Sequence, residues 1–154
     1  MIGQLNDLCE AARMTRSVKD GVDEAMRCWE LKLNCSESVM RGVCHAQDIT
    51  LDDLSKKLAT PFGGGIGRSE DVCGALTGGV LAIGASLGRT SPDQDKTKCY
   101  ECAGTLYKQF ETRFGAIVCK ALNESDFTSP HHRVRCGRFV EEATRLTLEV
   151  LRKA

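Results

Sequence analysis

Val72-Cys73-Gly74-Ala75-Leu76-Thr77-Gly78-Gly79-Val80-Leu81-Ala82-Ile83-Gly84-Ala85-Ser86-Leu87 is the longest apolar stretch of the chain, and its reading decides the fold. About half of it is Gly, Ala, Ser or Thr, and it is shorter than the roughly 20 apolar residues of a membrane span. Gly74, Ala75, Gly78, Ala82 and Ala85 recur at spacings of one, three and four, which predicts a helix of small residues. Each interior glycine weakens an isolated helix by about 1 kcal/mol. Close approach of another backbone, or of a bound group, has to offset that cost. The stretch is therefore expected at the centre of an all-α fold.

Immediately upstream lies Phe62-Gly63-Gly64-Gly65-Ile66-Gly67-Arg68. It lacks the Lys-Ser/Thr of a phosphate-binding P-loop and the preceding strand of a dinucleotide site. A bare backbone lying against a cofactor or against the small-residue helix suits it better. That reading selects Gly64, Gly65 and Gly74 as cofactor-facing. Arg68 adds a cation near a cluster or thiolate, or else an ion pair with Glu70 or Asp71.

Helical periodicity continues on both sides. Segments are expected at about Ile2–Met14, Ser17–Leu31, from an Asn34 N-cap onward, and at Leu51–Ala59 behind a Thr50 cap with Leu51, Leu54 and Leu58 inward. Ser91-Pro92 reads as a helix start running to Phe114, ended by Gly115. A short helix is expected over Ala116–Asn123 around Cys119, then a loop over Asn123–Arg133 holding His131 and His132, then a last helix over about Arg135–Arg152. Strands have little support, because no stretch alternates apolar and polar for long. The expected architecture is a compact single-domain bundle of six to seven helices.

The chain has 154 residues, 21 basic and 21 acidic, so its net charge is zero. This argues against nucleic acid or a polybasic membrane surface as partner. The first residues carry charges throughout, without the apolar core of a signal peptide. A cytoplasmic protein is expected. The nine cysteines then read as metal or redox chemistry, since thiols stay reduced there. Cys35, Cys73, Cys119 and Cys136 each lie beside turn-forming residues at expected segment starts, where a helix dipole favours the thiolate. Four such thiols from one small bundle could converge, or they are simply buried small hydrophobes. Cys99 and Cys102 form a CxxC inside a predicted helix, without the strand context of a thioredoxin-like site.

Asn34-Cys35, the glycine loop to Arg68, Val72-Cys73-Gly74-Ala75-Leu76-Thr77-Gly78, Phe114-Gly115-Ala116-Ile117-Val118-Cys119 and Cys136 together resemble the redox-active family called C_GCAxxG_C_C. The resemblance covers residues 34–150, with 1–33 as a helical extension. The family's four named cysteines fall on Cys35, Cys73, Cys119 and Cys136. The same domain is similar to the part of split-Soret cytochromes that holds an iron–sulfur centre. No Cys-x-x-Cys-His occurs, so covalent c-type haem is not implied. The resemblance implies a redox protein with four metal-ligating cysteines, an iron–sulfur cluster as cofactor and a redox partner of unknown identity. A metal-free thiol–disulfide protein and a metal-binding accessory module remain open beside it, as does a homodimer.

Overall fold

The computed structural model describes residues 16–154. The expected helix at Ile2–Met14, with Cys9, lies outside the described residues.

Among the described residues seven helices follow in order: α1 (Val18–Glu30), α2 (Cys35–Ala46), α3 (Asp53–Leu58), α4 (Gly74–Leu87), α5 (Thr97–Phe114), α6 (Cys119–Asn123) and α7 (Pro130–Arg152). A 3-10 turn, Thr60–Phe62, precedes the glycine loop. The protein is all-α. Among the described residues the only β-type pairing is an isolated bridge between Val72 and Val118.

The helix starts follow side-chain chemistry. Ser17 and Asp20 form a reciprocal capping box on α1, as do Asn34 and Glu37 on α2. The Asn34 side chain accepts from the Glu37 N–H at 3.0 Å and donates to the Thr60 carbonyl at 2.8 Å. It therefore fixes both the start of α2 and the approach of the glycine loop. Gly115 ends α5 in the left-handed region, φ 75°, where a glycine carries no Cβ penalty.

Three expectations are corrected. Ser91-Pro92 opens a turn: Gln94 Oε1 accepts from the Thr90 and Ser91 N–H groups at 2.8 and 3.2 Å, and α5 begins only at Thr97. Asp52, not Thr50, caps α3 by accepting from the Ser55 N–H at 2.7 Å. This short helix leaves Leu54 and Leu58 exposed. Finally, α7 starts at Pro130 rather than Arg135, because proline's fixed φ and absent N–H suit a first helical position. His131 and His132 thereby move from a loop into the first turn of the longest helix.

α4 packs between α2, α5 and α7, and α7 also runs against α1 and α2. Leu76, Ile83, Val39, Val43, Leu106, Phe110, Val140 and Leu148 are fully buried at these contacts. Each such side chain contributes roughly 1.5–3 kcal/mol by leaving water. Phe110, Phe114 and Phe139 meet with ring centroids 4.8 and 4.9 Å apart. The small residues of α4 perform the expected task. A Cβ on Gly78 would stand 2.5 Å from the Ser36 carbonyl, so only glycine lets α4 and α2 cross this closely. No helix of the described residues is long and apolar enough to cross a membrane.

Candidate functional site

One end of the bundle encloses a cavity of about 370 Å³. Cys35, Cys73, Cys119 and Cys136 all line it. They come from four places: the first residue of α2, the N-cap of α4, the first residue of α6 and the second turn of α7.

Local folding explains how each thiol arrives. The Asn34 cap sets Cys35. Cys73 and Cys119 are joined by the bridge, in which the Cys73 N–H donates to the Ile117 carbonyl at 2.8 Å and the Cys119 N–H to the Asp71 carbonyl at 2.6 Å. Cys136 is carried in by α7. Trp29 steadies that helix near its start: the indole N–H donates to the Arg133 carbonyl at 3.1 Å, and the Arg133 guanidinium lies 3.6 Å from the Trp29 ring centroid.

The glycine loop closes the cavity on a third side. Five consecutive residues, Gly64 to Arg68, have φ between 57° and 69°. L-residues pay roughly 1–2 kcal/mol each for this region. Ile66, β-branched, is a genuine outlier there. Gly65 has a second requirement, since a Cβ on it would lie 2.6 Å from Asp71 backbone atoms and 2.8 Å from the Cys119 Cβ. Gly74 is similarly placed: a Cβ there would collide with the Cys35 sulfur. Gly64, Arg68 and Gly74 line the cavity, while Gly65 is buried behind Cys119. Arg68 has its guanidinium 5.6 Å from the Phe127 ring centroid, and no ion pair with Glu70 or Asp71 forms among the described residues.

The electrostatics run against the expected helix-dipole effect. Burial pushes the Cys119 thiol up to about 11 and the Cys136 thiol up to about 12. It raises Cys35 and Cys73 as well. Desolvation outweighs the backbone donors, although these are present. The N–H groups of Gly64, Ser36 and Cys35 itself favour a charged Cys35 sulfur, and those of Ala75 and Leu76 favour a charged Cys73 sulfur. A charge on Cys35 opposes ionisation of Cys73, Cys119 and Cys136 alike, which makes it the thiol the other three share. Burial therefore disfavours the thiolate at all four positions. Among the described residues, no three His, Cys, Asp or Glu side chains close on a single point as one ion requires. The four thiols instead surround a volume.

His132 and Asn123 join the site. His132 Nδ1 lies 3.5 Å from the Cys136 sulfur and 2.9 Å from Asn123 Oδ1. His131, its neighbour, is exposed. His132 was legible as a histidine four residues before Cys136, once the helix is known to include it. Asn123 carried no sequence signal, since an asparagine before Glu-Ser reads as a helix end. The remaining cysteines stand elsewhere. Cys28 and Cys44 are buried in α1 and α2, and Cys99 and Cys102 lie on α5, away from the cavity lining.

The family model described as "Putative redox-active protein (C_GCAxxG_C_C)" matches residues 33–150. A relative described as "Uncharacterized protein", from Archaeoglobus fulgidus, is 30% identical over 129 residues, covering 77% of this chain and 85% of the relative. No solved structure matches the chain.

Proposed function

We propose, from the premise that this chain belongs to the C_GCAxxG_C_C family of redox-active proteins, that Cys35, Cys73, Cys119 and Cys136 hold an iron–sulfur cluster used for electron transfer. The observation that carries this reading is the convergence of those four cysteines, from four separate elements, on one cavity of about 370 Å³. Thiolates are the ordinary ligands of such clusters. An all-sulfur donor set spread around a volume suits a polynuclear group better than a single ion, whose thiolates would meet at bonds of about 2.3 Å.

When bound, the cluster would supply a one-electron couple. The chain's own contributions are binding and tuning. Cysteines ligate as thiolates, so loading releases protons and is favoured at higher pH. Backbone N–H groups at Cys35 and Cys73 would donate to the sulfurs and stabilise their charge. Gly74 leaves room for the Cys35 sulfur, and Gly65 lets the loop lie against Cys119. The aromatic rings of Trp29, Phe127 and Phe139 wall the cavity and limit water.

The experiment is anaerobic purification followed by reconstitution with iron and sulfide. The expected product is coloured, with iron and acid-labile sulfide in near-equal amounts. Protein that stays colourless and iron-free after reconstitution overturns the proposal.

Cys35, which shares the cavity wall with three other thiols, also favours a metal-free reading. Two thiols would then give up two electrons and two protons to a disulfide oxidant and form one disulfide. Alkylation with and without reductant, read by mass spectrometry, separates this reading: it requires paired protection of Cys35 and one partner.

A further inference from the structure

Asn123, the last residue of α6, is 1% exposed and lines the cavity beside the four cysteines. The two ends of its carboxamide are in opposite situations. Oδ1 is crowded: His132 Nδ1 is at 2.9 Å, and the Arg135 guanidinium and the Cys136 thiol each donate at 3.4 Å. Arg135 also donates to the Asn123 backbone carbonyl at 2.8 Å. A guanidinium can only donate, so it fixes the oxygen on that side and leaves the NH₂ on the other. That nitrogen, with two N–H donors, has no hydrogen-bond partner among the described residues.

A buried donor left unmet costs about 1–3 kcal/mol, and native proteins seldom keep one without a use. Here the residue stands on a cavity wall that no Asp or Glu of the described residues lines. A thiol sulfur is only a weak acceptor, and none of the four cysteine sulfurs stands within hydrogen-bond distance of the nitrogen. A thiolate or a sulfide would answer the donor, because negative charge strengthens the hydrogen bond. Arg135, through its two contacts with Asn123, is held in turn by Asp126 at 3.3 Å, so the carboxamide is oriented before anything binds.

We infer that the Asn123 side-chain NH₂ is a positioning donor to a sulfur of the group held in the cavity. It stabilises the occupied state and raises the reduction potential, since added negative charge on sulfur strengthens a donated hydrogen bond. This rests on the iron–sulfur reading above. It differs from the backbone donors at Cys35 and Cys73 in being removable by substitution.

The test compares the wild-type protein with Asn123→Asp and Asn123→Ala, each measured empty and after anaerobic reconstitution with iron and sulfide. Asn123→Asp keeps the size and an oxygen facing Arg135 but exchanges the donor for an acceptor. Two quantities are read: the gap in Tm between loaded and empty protein, and the midpoint potential. A purely structural role shifts the loaded and empty Tm together and leaves the gap alone. The expected result is a smaller gap and a lower potential in both variants, more so for Asn123→Asp. Failure of a well-folded Asn123→Asp protein to load at all also supports the inference. If Asn123→Ala does not fold, Asn123→Asp decides alone. Equal gaps and equal potentials across the proteins overturn the inference, as when a buried water satisfies the nitrogen. A wild-type protein that takes up no iron or sulfide overturns the iron–sulfur reading itself, and this inference with it.

Discussion

Cys99 and Cys102 sit three residues apart on α5, whereas Cys35, Cys73, Cys119 and Cys136 are scattered over four elements, yet only the scattered set lines a shared cavity. The CxxC pair shares a helix face by periodicity alone. Cys102 is buried against the core and Cys99 is half-buried, and the packing of α5 turns neither toward the cavity lining. Proximity in sequence thus makes a pair of neighbours, and a site needs walls from several directions. The scattered set has those walls: a helix cap, a bridge, a left-handed loop and the long α7.

The most drastic way to break the comparison is to remove thiols one at a time. Single Cys→Ser changes at Cys35, Cys73, Cys119 and Cys136 are expected to abolish or strongly reduce iron and sulfide uptake. The same changes at Cys99 and Cys102 should leave it within error of wild type. Iron and sulfide analysis after reconstitution checks this, and equal loss at both sets would erase the distinction.

A smaller effect sharpens what holds the scattered set together. Gly65→Ala should cost at least about 2 kcal/mol, combining a disfavoured φ of 69° with collisions at Asp71 and Cys119. Gly67→Ala, two residues on, has φ 57° and nothing within 4 Å of a new Cβ, so only the backbone cost of about 1 kcal/mol should appear. Urea unfolding of the empty protein measures both. Equal costs would mean that packing against Cys119 contributes nothing.

A pH dependence concerns a thiol belonging to neither set. Burial pushes Cys44 from 9.0 up to about 12. Its folded pKa is raised, so the neutral thiol's contribution is fully present below pH 9 and is lost as pH rises toward 12. Thermal unfolding of the empty protein should therefore fall less steeply between pH 9 and 11 in Cys44→Ala than in wild type. Parallel curves would remove Cys44 as a contributor.

Much of the helix framework was legible. Asn34 as N-cap, Gly115 as terminator and the small-residue α4 all follow from local chemistry, and α4 lies among three helices as its composition required. The failures were also local in origin. Ser91-Pro92 is a sound start signal that Gln94 outcompeted by accepting from two of the turn's N–H groups. Pro130 is the same signal succeeding. Leu54 and Leu58 have helical spacing, but α3 is too short to bury them. At the site, the four cysteines and the glycine loop were candidates by residue type, while Asn123 became visible only through its burial and its orphaned nitrogen.

From its own order, the sequence determined which segments are helices, where α1 and α2 begin, and which residues have chemistry to offer. Those are matters of side chains acting within a turn or two. The tertiary structure alone decided that Cys73 and Cys119 meet through the Val72–Val118 bridge, that α7 delivers Cys136 and His132 together, and that burial rather than the helix dipole governs the thiols. Such contacts join residues far apart in the chain. Their energy comes from desolvation and packing, which exist only once the helices have closed around the cavity.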